Sequence, residues 1–319
     1  MAFPNVSDII ATTIEQRSRK VADNVTKNNA ILTRLNARGN VRPFGGGRII
    51  YEELSFAENG NAGWYSGYDL LPVAAQDVIS AAQYDIKQAA CPVTISGLEM
   101  LQNSGKEAFI DLLEARLNVA ESTMANLVSG GLYSDGTGSG GKEITGLGAA
   151  VPIDPTTNAT YGGINQQTWT FWRNKFKDSA NTTTLLADWN GLWASLIRGM
   201  DRPDLIMVDS ATWAAYVALL QNQQRFTQAN TGEFGFPTIK FMDADVVLDG
   251  GIGGFCPAYT AFFLNTKYLF FRPHRDRNFV ALNPQKRYAI NQDAEVQIMG
   301  WAGNLCTSGR QFQGRWNGN

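Results

Sequence analysis

The sequence has little of the chemistry that most enzymes and metal proteins depend on. It contains one histidine, His274, and three cysteines, Cys91, Cys256 and Cys306, with no CxxC pair among them. A histidine-based triad or a multi-histidine metal site would have to be built from one residue, and neither a disulfide framework nor a zinc site is indicated. We interpret all three thiols as small, buried apolar residues. The sequence therefore predicts no metal, no cofactor and no enzymatic activity.

Long apolar runs and charge are also scarce. No stretch approaches the about 18 consecutive apolar residues of a membrane-spanning helix, and the first residues lack the pattern of a signal peptide. We therefore expect a chain that stays in a cytosol-like compartment and does not enter a membrane. Charged residues make up 18% of the chain and the formal charge is −2. So few charges are typical of a surface buried against partners, and this charge gives no general attraction to nucleic acid.

One glycine-rich stretch imitates a nucleotide-binding loop. GTGSGGKE, residues 136–143, has the glycine and lysine spacing of a phosphate-cradling loop. Such loops connect a strand to a helix whose first amides bind phosphate, whereas this one follows a predicted helix. Glu143 also stands where a Ser or Thr should meet Mg²⁺. We predict a turn without a nucleotide site.

The N-terminal part is predicted to be mainly helical and is basic. Apolar residues recur at helical spacing over residues 5–38, and Gly39 and Pro43 follow as stop signals. Over residues 1–44, seven basic residues against three acidic ones give a formal charge of +4. The simplest interpretation of this charge is a solvated helix face.

A strand-like region follows. Residues 49–56 alternate in polarity after three glycines, and a second strand candidate covers residues 77–96, so residues 45–95 read as a two-stranded excursion. Between the strands, residues 52–73 read EELSFAENGNAGWYSGYDLLPV, with Trp64, Tyr65 and Tyr68 in a Gly/Asn-rich setting. Six acidic residues against two basic ones give this region a charge of −4. A lone hairpin needs another surface, which could be its own domain or another molecule.

The remainder predicts a mixed α+β fold. A long helix is expected at about 105–129, with a capping box at Ser104 and Glu107 and a stop at Gly130 and Gly131. Residues 205–208 read as a buried strand that leads, through an N-cap at Asp209 or Ser210, into a helix. RPHRDRNF, residues 272–279, reads as a salt-bridged surface turn. Further strands are predicted at 238–242, 245–248, 260–264, 267–272 and 294–301.

Taken in order, many of these segments resemble the major capsid protein of tailed bacteriophages, which has the Hong Kong 97-type fold. The resemblance is spread over nearly the whole chain and no single motif is diagnostic. The matching stretches are VTKNNAILTRL, GGRIIYEELSFAENGNAGWYSGYD, PVTISGLEMLQNSGKEAFIDLLEAR, GLYSDGTGSGGKEITGL, YGGINQQTWTFWRN, PDLIMVD, FLNTKYLFFRPH and MGWAGNLCTSGRQFQGRW.

The resemblance implies a part for each segment. Residues 1–44 would be the N-terminal arm and 45–95 the extended β-hairpin loop. Residues 96–164 would hold the peripheral domain with its spine helix and a connecting loop, 165–290 mainly the axial domain, and 291–319 strands that return to the peripheral domain.

The resemblance also implies a function. Such subunits form hexamers and pentamers that close into an icosahedral shell around double-stranded DNA, without sequence-specific binding, in a virion assembled in the bacterial cytoplasm. A separate scaffolding protein, a portal protein and a decoration or cement protein are the expected partners. The alternative with the same fold is an encapsulin-type nanocompartment shell protein.

Seven residues are candidates for contacts between subunits. The aromatic residues of the loop would be buried on a neighbour, and the acidic loop and basic arm of different subunits could attract each other and fix register. The candidates are Glu52, Glu53, Trp64, Tyr65, Tyr68, Arg34 and Arg38. Some family members join a loop lysine to a neighbour's asparagine, but residues 44–86 contain no lysine. We therefore expect a shell without covalent crosslinks.

Overall fold

A computed structural model describes residues 29–102, 106–179, 181–221, 238–249, 254–282 and 293–318. Its helices are α1 (Ala30–Ala37), α2 (Gly97–Gln102), α3 (Lys106–Gly131), α4 (Leu185–Leu196) and α5 (Ser210–Gln221), with shorter turns at Gly138–Gly141 and Leu147–Ala150. Its strands are β1 (Ile49–Ser55), β2 (Ile79–Asp85), β3 (Lys87–Ser96), β4 (Thr160–Tyr161), β5 (Ile164–Asn165), β6 (Lys175–Asp178), β7 (Leu205–Val208), β8 (Thr238–Phe241), β9 (Ala244–Leu248), β10 (Thr260–Leu264), β11 (Leu269–Leu282), β12 (Ala294–Thr307) and β13 (Gly314–Asn317). None of the described helices is long and apolar enough to cross a membrane.

A six-stranded sheet forms one body of the fold, in the order β6-β13-β10-β7-β9-β8. Strand β7 is buried throughout and runs parallel to β9. Asp209 caps α5, since its carboxylate oxygens accept from the amides of Ala211 at 3.0 Å and Thr212 at 3.1 Å. The predicted strand, N-cap and helix at 205–221 are therefore confirmed. Trp189 and Trp193 of α4 and Phe263 of β10 belong to the core on this sheet.

The second body is a three-stranded sheet, β11-β12-β3, covered by the long helix α3. Leu117, Ala120, Met124 and Val128 form the buried stripe of α3 at the helical spacing that the sequence shows. The helix runs through both glycines and ends at Gly131, two residues later than predicted. Ser104 of the predicted capping box lies outside the described residues.

A capping box stands instead at the start of α2. The Ser96 amide donates to the Glu99 carboxylate at 3.1 Å, and the Glu99 amide donates to the Ser96 hydroxyl at 3.3 Å. These reciprocal bonds satisfy backbone donors where β3 turns into α2. The hydrogen bonds that Ser96 and Arg116 donate hold the pKa of Glu99 below its ordinary value.

The two edge strands of the three-stranded sheet differ in what lies beside them. Residues 40–45 run parallel to β11, where the Arg42 amide donates to the Phe271 carbonyl at 2.9 Å, so the chain adds a short extended segment to that edge. The other edge is β3, which contains Pro92 in mid-strand. A proline has no backbone N–H to offer to another strand. Arg116 of α3 donates to the Thr94 carbonyl on the same strand.

The predicted excursion at 45–95 is only partly a hairpin. Strands β1 and β2 pair antiparallel over seven residues, from Ile49 opposite Asp85 to Ser55 opposite Ile79. The rest of the predicted return strand is β3, which pairs with β12 instead. The prediction of a surface turn at 272–279 is wrong, because these residues lie within β11, whose register is irregular between Pro273 and Asn278.

Candidate interaction site on the extended loop

The loop between β1 and β2 is exposed over its outer part, residues 57–77, which we call the tip. Trp64 and Tyr68 are as exposed as in an extended peptide, each at 106%, and Leu70 and Val73 are above 90%. Tyr65 and Leu71 are also exposed. The tip therefore presents six large apolar side chains to water.

Local hydrogen bonds shape the tip. The Asn61 side-chain amide donates to the Ala74 carbonyl at 2.5 Å and bridges its two halves. The Ser66 amide donates to the Asp69 carboxylate at 2.8 Å, in a turn that places Gly67 at a φ of 52°. Several of the tip's polar groups thus bond within the tip, whereas its large apolar side chains remain in water.

Burial of these side chains would release a large free energy. Covering one aliphatic or aromatic side chain contributes about 1.5–3 kcal/mol, so covering six amounts to on the order of 10 kcal/mol before the cost of association. Exposed apolar patches of this size mark interaction sites on folded proteins. The tip therefore has the exposed apolar surface that is typical of an interaction site.

The root of the hairpin behaves in the opposite way. One face of the ladder, with Ile50, Glu52 and Leu54 on β1, is buried against the body of the chain, while Tyr51 and Glu53 point outward. At the outer end of the root, the Phe56 ring stacks on Phe171 with centroids 5.4 Å apart. The hairpin therefore lies on its own domain as far as Phe56, and only the tip extends beyond it.

Hydrogen bonds seat the strand β2 on the body. The Tyr84 hydroxyl donates to the Thr307 carbonyl at 2.7 Å and accepts from the Thr307 amide at 3.2 Å. Burial raises the pKa of this phenol well above its ordinary value, so it stays neutral. The Asn304 side chain donates to the Asp85 carbonyl at 2.8 Å. The Gln83 amide also donates to the Gly162 carbonyl at 2.9 Å, and a Cβ at Gly162 would lie 3.1 Å from Ala82.

The basic residues near the arm also have partners in their own chain. Asp204 accepts from Arg34 at 3.0 Å, from Arg38 at 3.2 Å, and from the amide and hydroxyl of Thr266 at 2.7 Å each. Arg34 reaches a second carboxylate, Asp245, at 3.5 Å. Helix α1 is thereby fixed to the end of the six-stranded sheet.

These positions revise the candidate contacts. Trp64, Tyr65, Tyr68 and Glu53 are exposed, as a contact with another chain requires. Glu52 is buried and forms an ion pair with Arg272 of its own chain. Arg34, Arg38 and Glu52 each form an ion pair within their own chain, so their contact with a neighbour stays a prediction.

Sequence reasoning missed two partners. Arg272 was assigned to a surface turn because it lies among charged residues, and Asp204 follows a proline in a short polar segment. The available signal for Arg272 was its neighbourhood, since it directly follows the apolar run Leu269–Phe271. A polar residue at the end of such a run is a candidate for an inward-facing partner.

The glycine-rich loop and the histidine are accounted for without a ligand. Glu143 accepts from the Ser134 hydroxyl at 2.7 Å and from the Ser139 hydroxyl at 3.2 Å, so its carboxylate fills the loop. His274 accepts from the Asp276 amide at 3.1 Å through Nδ1 and packs edge-on against Phe44. Among the described residues, no group of three His, Cys, Asp or Glu side chains could hold a metal ion.

A cleft of about 610 Å³ opens beside the root of the hairpin. Its walls come from residues 53–58 of the loop, from Phe171 and Trp172, and from residues 308–312. Glu53, Glu58, Arg198 and Arg310 provide charges at this cleft.

Comparison with proteins of known structure identifies the fold. No family model matches the chain, and no curated protein matches it. The chain is similar to the capsid protein of cyanophage A-1(L), with 15% identity, a TM-score of 0.58, and coverage of 88% of this chain and 90% of the other. It is similar to the capsid of the native GTA particle at 13% identity and a TM-score of 0.60, covering 88% of each chain.

A third similar structure is the satellite phage P4 procapsid with its size determination (Sid) protein, at 11% identity and a TM-score of 0.50, covering 100% of this chain and 92% of the other. At these identities the similarity concerns the fold. The described residues contain an extended hairpin, a long helix on a three-stranded sheet and a separate six-stranded sheet. The chain has the α+β Hong Kong 97-type capsid fold, as the resemblance implied.

Proposed function

We propose that the chain is a major capsid protein that assembles through hexamers and pentamers into a closed icosahedral shell around double-stranded DNA. The observation that carries this proposal is the tip, whose six large apolar side chains are exposed to water. A second copy supplies the covering surface, so each extended loop lies across a neighbour. Heterologous contacts of this kind close into rings when the rotation between copies permits it.

The domain division follows the two sheets. The peripheral domain takes α3 with β3, β11 and β12, and the axial domain takes the six-stranded sheet with α4 and α5. This differs in two places from the partition proposed from sequence. Strand β11 pairs with β12 rather than within the six-stranded sheet, and the last strand, β13, pairs with β10 and β6 of that sheet. The chain therefore passes between the domains once more near its end.

Other virion components complete the proposal. A separate scaffolding protein, a portal protein and a decoration protein are the expected partners, in a virion assembled in the bacterial cytoplasm. The P4 procapsid contains an additional protein that determines its size, which supports a role for accessory proteins during assembly. No specific observation favours a nanocompartment shell, and the chain has no proposed catalytic role.

The first experiment is to measure the mass of the purified protein by light scattering after size exclusion, and to image large fractions by electron microscopy. The expected result is pentamers, hexamers or closed shells, with or without a co-expressed scaffolding protein. A chain that remains monomeric at high concentration, also with the scaffold, would contradict the proposal.

Covalent crosslinking is not part of the proposal. Lys87 is the first lysine after residue 44 and stands at the start of β3, far from the tip. Its ammonium group donates to the Gly141 carbonyl of its own chain at 2.7 Å. Boiled mature particles should therefore run as single chains on a denaturing gel, and a ladder of covalent oligomers would contradict this.

A further inference from the structure

A charged side chain occupies an inward-facing position of the hairpin root. Glu52 is 5% exposed and lies between Ile50 and Leu54 on the buried face of β1. Its ladder partner, Ala82, is completely buried. An apolar residue would complete this face, so the carboxylate is the exception that requires an explanation.

The partner of this carboxylate is Arg272 of β11. The Arg272 side chain is itself mostly buried and its guanidinium lies 5.9 Å from the centre of the Phe270 ring. Cys306 is close by, and its thiol pKa is raised by burial and also by the charge of Glu52. A charged pair in such surroundings contributes little net stability, although either partner alone would be strongly unfavourable.

The pair lies farther along the hairpin than the neutral bonds. Tyr84 and Asp85 fix the inner end of β2, opposite Ile50 and Ile49. Glu52 lies two residues closer to the tip, a distance of about 7 Å along a strand. A contact at that point restrains the angle of the hairpin more than the hydrogen bonds at its base can, and it is directional, unlike the apolar contact of Phe56 with Phe171 farther out.

We propose that Glu52 and Arg272 are positioning residues for assembly: their pair fixes the direction in which the extended loop leaves the body. Apolar contacts tolerate sliding, whereas a charge-assisted bond holds only within a narrow geometry, and its separation would leave two buried charges unpaired. The tip is therefore presented at one angle to the neighbour. The inference about assembly rests on the proposed function, while the inference about loop direction stands on the single chain.

The direct test measures loop direction in the unassembled chain. The double variant Glu52→Leu with Arg272→Met replaces the pair by apolar groups of similar size, and such replacements commonly keep or raise stability. Spin labels on non-natural side chains at the exposed positions 68 and 190 report the distance from the tip to α4. We expect an unchanged melting temperature and a distance distribution about twofold broader than in the wild type, because a site loses definition when its supporting contact is removed.

The matched control is Glu53→Gln, which changes the adjacent, exposed carboxylate on the same strand. Its distance distribution should match that of the wild type. A distribution in the double variant that is as narrow as in the wild type would overturn the proposal. If the double variant does not fold, Glu52→Arg is compared with Glu52→Arg plus Arg272→Glu. The swapped pair should restore the narrow distribution, and failure to restore it would equally overturn the proposal.

The second test is assembly. With the wild type forming shells, the folded double variant should give about tenfold fewer closed shells and more irregular particles, since small errors in the geometry of a supporting contact disable a site. Uniform shells at wild-type yield would contradict the role in assembly. If the wild type itself forms no shells, the proposed function fails, and the spin-label distances still decide whether the pair fixes the loop.

Discussion

At the scale of single residues, the buried polar groups determine which substitutions this chain can tolerate. Asp249 follows β9 and accepts a hydrogen bond from the Tyr133 hydroxyl, which comes from the segment after α3. Burial raises the pKa of the Asp249 carboxyl above its ordinary value, although the Tyr133 bond acts in the opposite direction. This contact joins the long helix to the six-stranded sheet through an acid that resists ionisation.

The raised pKa of Asp249 has a defined effect on stability. A group whose pKa is higher in the folded state stabilises the fold at low pH, and this contribution is lost as the pH rises from about 4, the ordinary value, through the folded value. Asp249→Asn removes the ionisation. Its unfolding free energy relative to the wild type should therefore be higher at pH 7 than at pH 4, as measured by urea titration at both values. The exposed acid Glu58 gives the control Glu58→Gln, and an equal difference at both pH values for Asp249→Asn would contradict the assignment.

The residue scale is also where sequence reasoning failed most clearly. Glu52 and Glu53 are adjacent and chemically alike, and nothing in the sequence separates them. The period of β1 distinguishes them only once the buried face is known, because successive side chains point to opposite faces of a strand. Reversing both charges together would therefore not test a contact between subunits, since Glu52→Lys alone would bring two cations together in the interior. Glu53→Lys is the informative change.

At the scale of elements, we assign recognition of a neighbour to the tip of the hairpin and structural support to its root. Trp64→Ser with Tyr68→Ser removes two aromatic side chains that touch no other part of the described chain. Surface changes of this kind usually alter stability by less than about 0.5 kcal/mol, while the loss of aromatic anchors from an interface commonly costs more than about 2 kcal/mol each. We expect a monomer of unchanged melting temperature that no longer forms rings or shells in electron micrographs.

The matched control for the tip is Tyr51→Ser. Tyr51 is also an exposed aromatic residue of the same loop, but it lies on the outward face of the root. If Tyr51→Ser abolishes assembly as completely as the tip variant does, the contact is not localised in the tip and the separation of tip and root is wrong.

A second element prediction concerns the anchor of α1. Asp204→Asn removes the charge that meets Arg34 and Arg38, and charge-assisted hydrogen bonds contribute about 1.5–3 kcal/mol each. We expect the amides of residues 30–37 to exchange hydrogen faster, with a smaller change in the six-stranded sheet. Arg42→Ala is the control, because its guanidinium donates to the nearby Gly39 carbonyl and lies over the Phe270 ring, and among the described residues it is not paired with Asp204. Unchanged exchange in α1 would show that apolar contacts alone hold it.

Elements with a strong period were predicted well. The stripe on α3 and the buried strand β7 with its Asp209 cap are readable because local spacing determines them. The full length of β11 was not predicted, since Pro273, Asp276 and three arginines within residues 272–277 disfavour a strand locally. These residues are tolerated in the strand because β12 supplies the hydrogen bonds. The division of residues 77–96 between two sheets depends on β12, which is some two hundred residues away, so no local pattern could reveal it.

At the scale of the whole molecule, the chain has well-packed cores and an exposed tip. Its two cores and the pairs at Asp204 and Glu52 lie within the chain, and among the described residues the tip groups together several of the most exposed large apolar side chains. We therefore expect a folded monomer before assembly, with the unfolding temperature raised once shells form, because assembly stabilises only the folded chain. Calorimetry of monomers and shells at equal protein concentration measures this. Equal unfolding temperatures would contradict a tightly covered tip.

The edges of the three-stranded sheet affect how copies of the chain can aggregate. A free strand edge can pair with a strand of another chain, and repeated pairing of this kind builds fibres without limit. Here residues 40–45 occupy one edge, and Pro92 interrupts the other. Linear growth by strand addition is thereby discouraged at this sheet, so the chain can accumulate to the high local concentration that a closed particle needs without precipitating as filaments.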